Sequence, residues 1–221
     1  MIKKILLILF TTLIILIVSL KMPSRGLAAC STCRAYSAVY LNNKTTYTAI
    51  HAYITNATPS IRDGGFSSEV LWIGPPSGKK DYIEMGWRKN GPLNVNETYW
   101  GYYDTNGNWT YIPIAANSTG HDYQIEYKSW DGKWHVYLDG VDKGSRALSY
   151  TQSYLIAGGE VSDFSSTQHN AMGISNFTNL SYKDNNVGYF SWNGWTSSRV
   201  DYSYVLTTLS SSGFQNRGYN P

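Results

Sequence analysis

The sequence predicts an all-β protein, an antiparallel two-sheet sandwich of the jelly-roll or concanavalin type that forms a single domain. Three observations lead to this prediction. No long stretch has the 3.6-residue apolar period of a helix, short alternating runs recur instead, and turn residues such as Asp63-Gly64-Gly65 and Asp139-Gly140 separate those runs. About twelve strands suit two packed, curved sheets.

The predicted strands follow one another without a repeat, a linker or a shift of composition. In each strand, successive side chains point to opposite faces of the sheet. The predicted strands are Arg34–Leu41, Thr45–Thr55, Phe66–Gly74, Asp81–Arg88, Thr98–Tyr103, Trp109–Ile114, Asp122–Trp130, Lys133–Leu138, Ser153–Val161, Ile174–Lys183, Tyr189–Trp192 and Val200–Leu209.

The first 29 residues are predicted to be a signal peptide. Met1–Lys4 is basic, Ile5–Leu20 is an apolar run, and Leu27–Ala29 offers small residues for cleavage. The run is shorter than the about 20 residues of a membrane span, but a retained anchor stays an alternative because the span could extend to Met22. Lipidation at Cys30 is a minor alternative. We therefore expect a secreted, extracellular protein, with retention at the cell envelope as the alternative.

Removal of this segment changes the charge of the protein. The full chain carries a formal net charge of +3, but Lys3, Lys4, Lys21 and Arg25 belong to the signal, which leaves 14 basic against 15 acidic residues. A nearly neutral chain has no basic surface for nucleic acid. After signal removal we expect a monomer without a membrane partner.

The two cysteines, Cys30 and Cys33, are predicted to form a local disulfide. They belong to a predicted N-terminal segment, residues 30–47, ahead of a sandwich domain at 48–221. A redox-active pair would need a thioredoxin-like βαβ setting, which does not follow in the sequence. Two cysteines and four scattered histidines give no metal-ligand spacing, so neither a metal nor another cofactor is predicted.

Glu84 is the first candidate for chemistry. It lies in an otherwise apolar strand, on the face that it shares with Tyr82 and Gly86, and the glycine leaves room beside it. Glutamate is a poor strand former. On its own, Glu84 fits a solvated position on an exposed sheet face just as well.

Glu160 is the second candidate. It follows Gly158 and Gly159 in an apolar strand, and glycines inside a strand mark a bulge or the close approach of another backbone or a ligand. If the fold brings Glu160 close to Glu84, the two carboxyl groups cannot both ionise easily, so one keeps its proton while the other acts as a base. Such a pair serves peptide or glycoside hydrolysis.

Five short motifs occur in a fixed order along the chain. They are Phe66–Gly74 (FSSEVLWIG), Ile83–Trp87 (IEMGW), Tyr99-Trp100, Gly158–Val161 (GGEV), and Met172-Gly173 with Phe177 four residues beyond the glycine. From about Thr48 to Asp184, their order and rough spacing resemble the neprosin family of glutamic peptidases, which is related in architecture to the eqolisin-type glutamic peptidases.

The resemblance implies an endopeptidase that works at acidic pH and acts on protein or peptide substrates. The family's two catalytic glutamates fall on Glu84 and Glu160, one activating water and the other holding a proton. Plant-type members cut at proline, which makes proline-directed cleavage an option here. Two departures concern the cleft: Ala157 replaces a tryptophan, which would open one wall, and His169 aligns with the family's histidine only across a gap.

Six residues are predicted to contact the substrate: Tyr82, Gly86, Trp100, Gly159, Gln124 and His169. Core packing remains the alternative for the tryptophan, and an exposed loop for the histidine. Two other functions also stay open. One is a carbohydrate-binding or glycan-cleaving jelly roll, because exposed rings suit sugars and paired carboxylates suit glycosidases. The other is an inactive surface module.

Overall fold

The structure is a computed structural model that describes residues 33–61, 65–91, 95–116, 119–163, 170–201 and 204–218. Within these ranges every regular element is a strand, and no helix is present that could cross a membrane. The strands are β1 (Cys33–Leu41), β2 (Tyr47–Ile54), β3 (Phe66–Ile73), β4 (Tyr82–Asn90), β5 (Val95–Tyr103), β6 (Trp109–Ala116), β7 (His121–Lys128), β8 (Lys133–Leu138), β9 (Val141–Arg146), β10 (Leu155–Asp163), β11 (Ser175–Asp184), β12 (Val187–Ser191), β13 (Ser197–Val200), β14 (Tyr204–Ser210) and β15 (Gly213–Gly218).

Two antiparallel sheets pack face to face, which confirms the predicted sandwich. The first, called the site sheet below, has the order β13-β1-β10-β3-β4-β5-β6. The second sheet has the order β14-β15-β11-β2-β7-β8-β9, and β12 pairs with β11. Every pairing between the described strands is antiparallel, as short turns between alternating runs predict.

The core lies between the sheets and follows from the alternation within each strand. Ile83, Met85 and Trp87 of β4 are completely buried there, opposite Ile125 and Trp134 of the second sheet. The other face of the site sheet is also rich in rings. It carries a smaller cluster built on Ala38, Val70, Trp72 and Tyr99, with Tyr40, Tyr82, Trp109, Tyr111 and Ile156 packed against it. We call this outward side of the site sheet the site face.

Strand β1 corrects the predicted domain boundary. Residues 33–41 do not precede the sandwich but form an inner strand of the site sheet, paired with β10 on one side and β13 on the other. The strand itself was predicted, as Arg34–Leu41, but its pairing with β10 and β13 was not. The predicted disulfide falls outside the description, because Cys30 and the side chain of Cys33 are not among the described residues.

Three strands, β9, β13 and β15, were not predicted from the sequence. β9 (VDKGSR) and β13 (SSRV) are largely exposed and lack apolar alternation, since edge strands tolerate charged and polar side chains on both faces. The turn before β9 was predicted, and there Asp139 and Gly140 adopt positive φ angles of 51° and 76°.

Candidate active site

The strand register places Glu84 and Glu160 on the same side of the site sheet. Both strands are neighbours of β3, where Glu84 lies opposite Trp72 and Glu160 lies opposite Ser68. Partners across a ladder share a face, and residues 68 and 72 are separated by an even number of positions. Both glutamates therefore project from the site face, one on each side of β3.

The Glu84 carboxyl group is buried and held by two donors. The indole Nε1 of Trp72 donates to Oε2 at 2.7 Å, and the hydroxyl of Tyr99 donates to Oε1 at 2.6 Å. Burial raises the pKa of Glu84 to about 7, the negative charge of Glu160 contributes in the same direction, and the two hydrogen bonds oppose it. Glu84 therefore keeps its proton at acidic pH.

Glu160 has a different environment, although its exposed fraction is the same 5%. Its Oε1 accepts a hydrogen bond from Nη1 of Arg34 at 2.6 Å and another from the Tyr36 hydroxyl at 3.1 Å. Both donors come from β1. Burial, together with the charge of Glu160, raises the pKa of Tyr36 to about 12, so this phenol stays a donor. The ion pair with Arg34 places a positive charge directly beside Glu160, whereas both donors to Glu84 are neutral.

The two glutamates line one cavity of about 50 Å³. That is several times the roughly 10–15 Å³ needed for one water molecule. No hydrogen bond joins the two carboxyl groups among the described contacts. The other lining residues are Arg34, Phe66, Tyr82, Arg88, Tyr99, Tyr103 and Trp109. The arrangement can hold water or a polar substrate group between a protonated acid and an ion-paired carboxylate.

A larger apolar cavity, of about 150 Å³, adjoins the first. Tyr82 lines both cavities. Trp72 and Tyr36 also line the apolar cavity, and each donates a hydrogen bond to one of the two glutamates. The remaining walls come from Ala38, Tyr40, Ile73, Gly74, Pro75 and Ile156. An apolar group bound here would therefore lie directly beside both carboxyl groups.

Two of the predicted substrate residues lie where the sequence placed them. Tyr82 is on the site face between the two cavities, and its ring centroid is 5.0 Å from that of Tyr103. Gly86 is on the same face, two residues from Glu84. A Cβ at Gly86 would overlap the carbonyl oxygen of Glu69 on β3, so glycine is required there by the close approach of that strand.

Three other predicted substrate residues are corrected by the structure. Trp100 points inward and is buried in the core between the sheets. Gly159 also faces inward, where a Cβ would lie 2.5 Å from Sδ of Met172. Gln124 belongs to β7 of the second sheet and donates to Glu126 at 2.7 Å, away from the cavity. The fourth, His169, lies outside the described residues.

The predicted opening of the cleft at Ala157 is wrong as well. Ala157 lies opposite Leu71 and belongs to the core cluster, so its side chain points away from the site face. Alternation along β10 explains this, because Ala157 is three positions from Glu160 and so takes the opposite face. A larger side chain at this position would affect core packing and not a wall of the cleft.

The side chains that hold the two glutamates were not predicted from the sequence. Trp72 and Tyr99 lay inside the recognised motifs, and the parity of Tyr99 with Gly86 across the β4–β5 ladder places it on the site face. Arg34 and Tyr36 had no such signal, because they were assigned to a separate N-terminal segment. In the described part of the chain, no group of three or more His, Cys, Asp or Glu residues could hold a metal ion.

A third glutamate, Glu69, lies on the opposite face of β3, completely buried between the sheets. Nδ2 of Asn216 donates to its Oε2 at 3.0 Å, while its Oε1 has no hydrogen-bond partner. Burial raises the pKa of Glu69 well above its usual value, and the hydrogen bond from Asn216 opposes this. Glu69 is therefore a buried acid directly behind the site, and burial favours its neutral form.

Comparison with known proteins identifies the fold. No protein-family model matches the sequence, and no curated protein sequence matches it significantly. Among solved structures, scytalido-glutamic peptidase with a transition-state analogue inhibitor has a TM-score of 0.61 at 11% identity, covering 87% of this chain and 100% of that one.

Two further solved structures resemble this chain to different degrees. SCP-B, a member of the eqolisin family of peptidases in complex with the tripeptide Ala-Ile-His, has a TM-score of 0.59 at 10% identity, with coverage of 87% and 100%. The marine alginate lyase AlyA1 from Zobellia galactanivorans has a TM-score of only 0.46 at 10% identity, with coverage of 67% and 65%. The chain therefore has the fold of scytalido-glutamic peptidase and its eqolisin relative.

Proposed function

We propose that this protein is a glutamic endopeptidase whose two acting residues are Glu84 and Glu160. One observation carries the proposal: the two carboxyl groups line one cavity but have different partners, which are neutral donors for Glu84 and the Arg34 guanidinium for Glu160. Burial keeps Glu84 protonated up to about pH 7, while Arg34 pairs with Glu160 as a carboxylate. Carboxyl groups with separated protonation states are the usual basis of acid–base assignment. The fold shared with glutamic peptidases supports the same function.

The environments also assign the roles. Glu160 takes a proton from a water molecule, whose oxygen attacks the carbonyl carbon of the peptide. Protonated Glu84 donates a hydrogen bond to the carbonyl oxygen as negative charge develops there. When the carbon–nitrogen bond breaks, Glu84 gives its proton to the leaving amine. Glu84 then carries the negative charge and Glu160 the proton, and exchange with solvent restores the starting state.

This mechanism requires an acidic working range. Glu84 must be protonated to donate, so activity is present below its pKa of about 7 and is lost as the pH rises through that value. The adjoining apolar cavity fits a substrate side chain without charge next to the cleaved bond. A ring such as that of proline suits its aromatic walls, in line with the family resemblance.

The sequence also indicates the compartment in which the protein acts. We infer that residues 1–29 direct export and are then removed, so that the peptidase acts outside the cytoplasm as a monomer. The support for this inference is the basic start, the apolar run and the small residues before Cys30. N-terminal sequencing of the protein collected from the culture medium tests it.

Digestion of a mixed peptide library from about pH 3 to about pH 8 tests the proposed function. Wild-type protein should cleave internal bonds, with most activity at acidic pH. Glu84→Gln and Glu160→Gln should each lower kcat/KM by roughly 10²–10⁴-fold, the usual contribution of a positioned acid or base. Glu126→Gln, on the outer side of the second sheet, serves as the matched control and should keep wild-type activity.

The folded state of each variant is checked by circular dichroism. If both folded glutamine variants cleaved the library as well as wild type, Glu84 and Glu160 would not be the acting residues. If wild-type protein cleaved no peptide but hydrolysed a β-glucan or alginate, the peptidase function itself would be wrong.

A further inference from the structure

Arg88, on β4, lines the cavity of the two glutamates but forms no ion pair with any described carboxylate. Its guanidinium carbon lies 4.5 Å from the ring centroid of Phe66 and 5.1 Å from that of Tyr111. Its Nε is buried and has no hydrogen-bond partner. Stacking on two rings fixes the plane of the guanidinium group, while part of its donor set is unused.

Nearby carboxyl groups are bound to other donors. Glu97 lies directly across the ladder from Arg88, yet its Oε1 accepts a hydrogen bond from the Tyr111 hydroxyl. Glu84 accepts from Trp72 and Tyr99, as described above. Glu160 is paired with Arg34. The structure thus contains acceptors around Arg88, but none of them pairs with it.

The charges of the residues that line the cavity also leave Arg88 without a partner. Its ionisable lining consists of Arg34, Arg88, Glu84 and Glu160, apart from tyrosines. Glu160 compensates Arg34, and Glu84 is neutral in the protonated form that the mechanism needs. The acid-active site therefore carries one positive charge, on Arg88, beside the place where the peptide must bind. A planar guanidinium prefers a carboxylate, which it can bind through two parallel hydrogen bonds.

We propose that Arg88 binds a carboxylate of the peptide substrate next to the cleaved bond, so that the enzyme prefers substrates with a negative charge on one side of that bond. The inference rests on the proposed peptidase function. The carboxylate can come from an Asp or Glu side chain or from the C-terminus of a short peptide. Both sources offer the same planar anion, and peptide design separates them.

The first experiment uses wild-type protein and matched peptides at about pH 5, where ordinary carboxyl groups with pKa values near 4 are largely ionised. Each position around the cleaved bond is varied as Glu against Gln, and each peptide is made as a free acid and as an amide. We expect one position, or the free C-terminus, to raise kcat/KM by about 10- to 100-fold, the range of a charge-assisted hydrogen bond. This preference for the peptide with the carboxylate should appear mainly as a lower KM.

The second experiment uses Arg88→Gln, with Arg88→Lys as the variant that keeps the charge. Arg88→Gln should lower kcat/KM for the acidic peptide about 10-fold more than for its neutral counterpart, so that the preference is lost, and Arg88→Lys should keep part of it. Arg146→Gln is the matched control, because Arg146 also stacks on a ring, that of Tyr102 at 4.6 Å, but lies outside the cavity. Arg146→Gln should prefer the acidic peptide to the same degree as wild-type protein.

The outcomes separate this inference from the proposed function. If wild-type protein cleaves peptides with equal kcat/KM for Glu and Gln and for acid and amide, the peptidase function stands and carboxylate recognition is overturned. Recognition is also overturned if folded Arg88→Gln loses acidic and neutral substrates alike, because Arg88 then supports the site in general. If wild-type protein cleaves no peptide at all, the proposed function fails first.

Discussion

The Glu84 carboxyl group is under opposing influences that can be altered one at a time. Burial and the charge of Glu160 raise its pKa, whereas Tyr99 and Trp72 donate hydrogen bonds that favour the ionised form. The raised pKa also affects stability. A carboxyl group whose pKa is higher in the folded state stabilises the fold fully below its unfolded pKa, and this contribution is lost as the pH rises from about 4.5 to about 7.

Removal of the Tyr99 hydroxyl should make Glu84 a weaker acid. In Tyr99→Phe the ionised form loses one donor, so the pKa rises above about 7 and the alkaline limit of activity moves to higher pH. A hydrogen bond of roughly 1 kcal/mol corresponds to a shift of about 0.5–1 pH unit. The profile of kcat/KM against pH measures it.

Tyr111→Phe is the matched control for this prediction. The Tyr111 hydroxyl is on the same face but donates to Glu97, so its removal should leave the alkaline limit in place. A shift of the limit to lower pH in Tyr99→Phe, or an equal shift in both variants, would show that Glu84 is not the group that sets it.

Strand β3 lies between the strands that carry the two glutamates. Its outward residues Ser68 and Trp72 lie opposite the two glutamates, while Glu69 between them projects into the core. A Cβ at Gly159 would lie 2.9 Å from both carboxyl oxygens of Glu69, so the backbone of β10 passes directly over this buried acid. A negative charge on Glu69 would therefore lie against the backbone of the strand that carries Glu160.

Glu69 should make the fold more stable at acidic than at alkaline pH. Its pKa is raised by burial, so the folded state must keep the proton as the pH climbs above the ordinary carboxyl value, and the free energy of unfolding falls. Between about pH 4 and pH 8, the fall in Tm should be smaller in Glu69→Gln by roughly 5–10 °C, since a buried carboxylate costs several kcal/mol.

The comparison is best made between Glu84→Gln and the double variant Glu84→Gln/Glu69→Gln, because Glu84 also titrates in this range. Differential scanning calorimetry measures both. The glutamine amide lacks partners for its hydrogens, so the double variant should be the less stable of the two at acidic pH. Equal dependence of Tm on pH in the two proteins would contradict a buried neutral Glu69.

Alternation within single strands explains which parts of the site could be predicted from the sequence. Within β4 it placed Glu84 and Tyr82 on the face opposite the core. The same rule gives Gly159 the face opposite Glu160, and the prediction for Gly159 overlooked this. The pair Tyr99-Trp100 was ambiguous because both faces of β5 carry rings, and a shift of one residue exchanges them.

Register between distant strands was not available from the sequence. Glu84 meets Glu160 only because β3 lies between their strands, and no local pattern encodes that order of strands. Alternation likewise gave no reason to single out Arg34 and Tyr36, which lie on a predicted strand but in none of the recognised motifs. The fold class could be predicted because it depends on local alternation, whereas the ion pair at the site depends on pairing across the whole chain.

At the scale of the molecule, we expect the sandwich to require β1, which is paired on both edges. A chain shortened to begin at Tyr47 loses Val39 and Leu41 from the core and exposes the edge of β10. We expect it to be insoluble or to lack a cooperative thermal transition, whereas a chain that begins at Cys30 should fold. Circular dichroism and soluble yield compare the two. Cooperative unfolding of the shorter chain with intact peptide cleavage would contradict this prediction.

The pairing of β1 also determines when the site can exist. Arg34 and Glu160 are 126 positions apart, and the other neighbour of β1, β13, lies further still along the chain. During synthesis, β1 can pair only after β10 and β13 have been made, and contacts between such distant parts of a chain form slowly. A nascent chain that ends before residue 160 lacks one glutamate and the second edge of the cavity. Under the proposed function, peptide hydrolysis would therefore arise only after most of the polypeptide has been made.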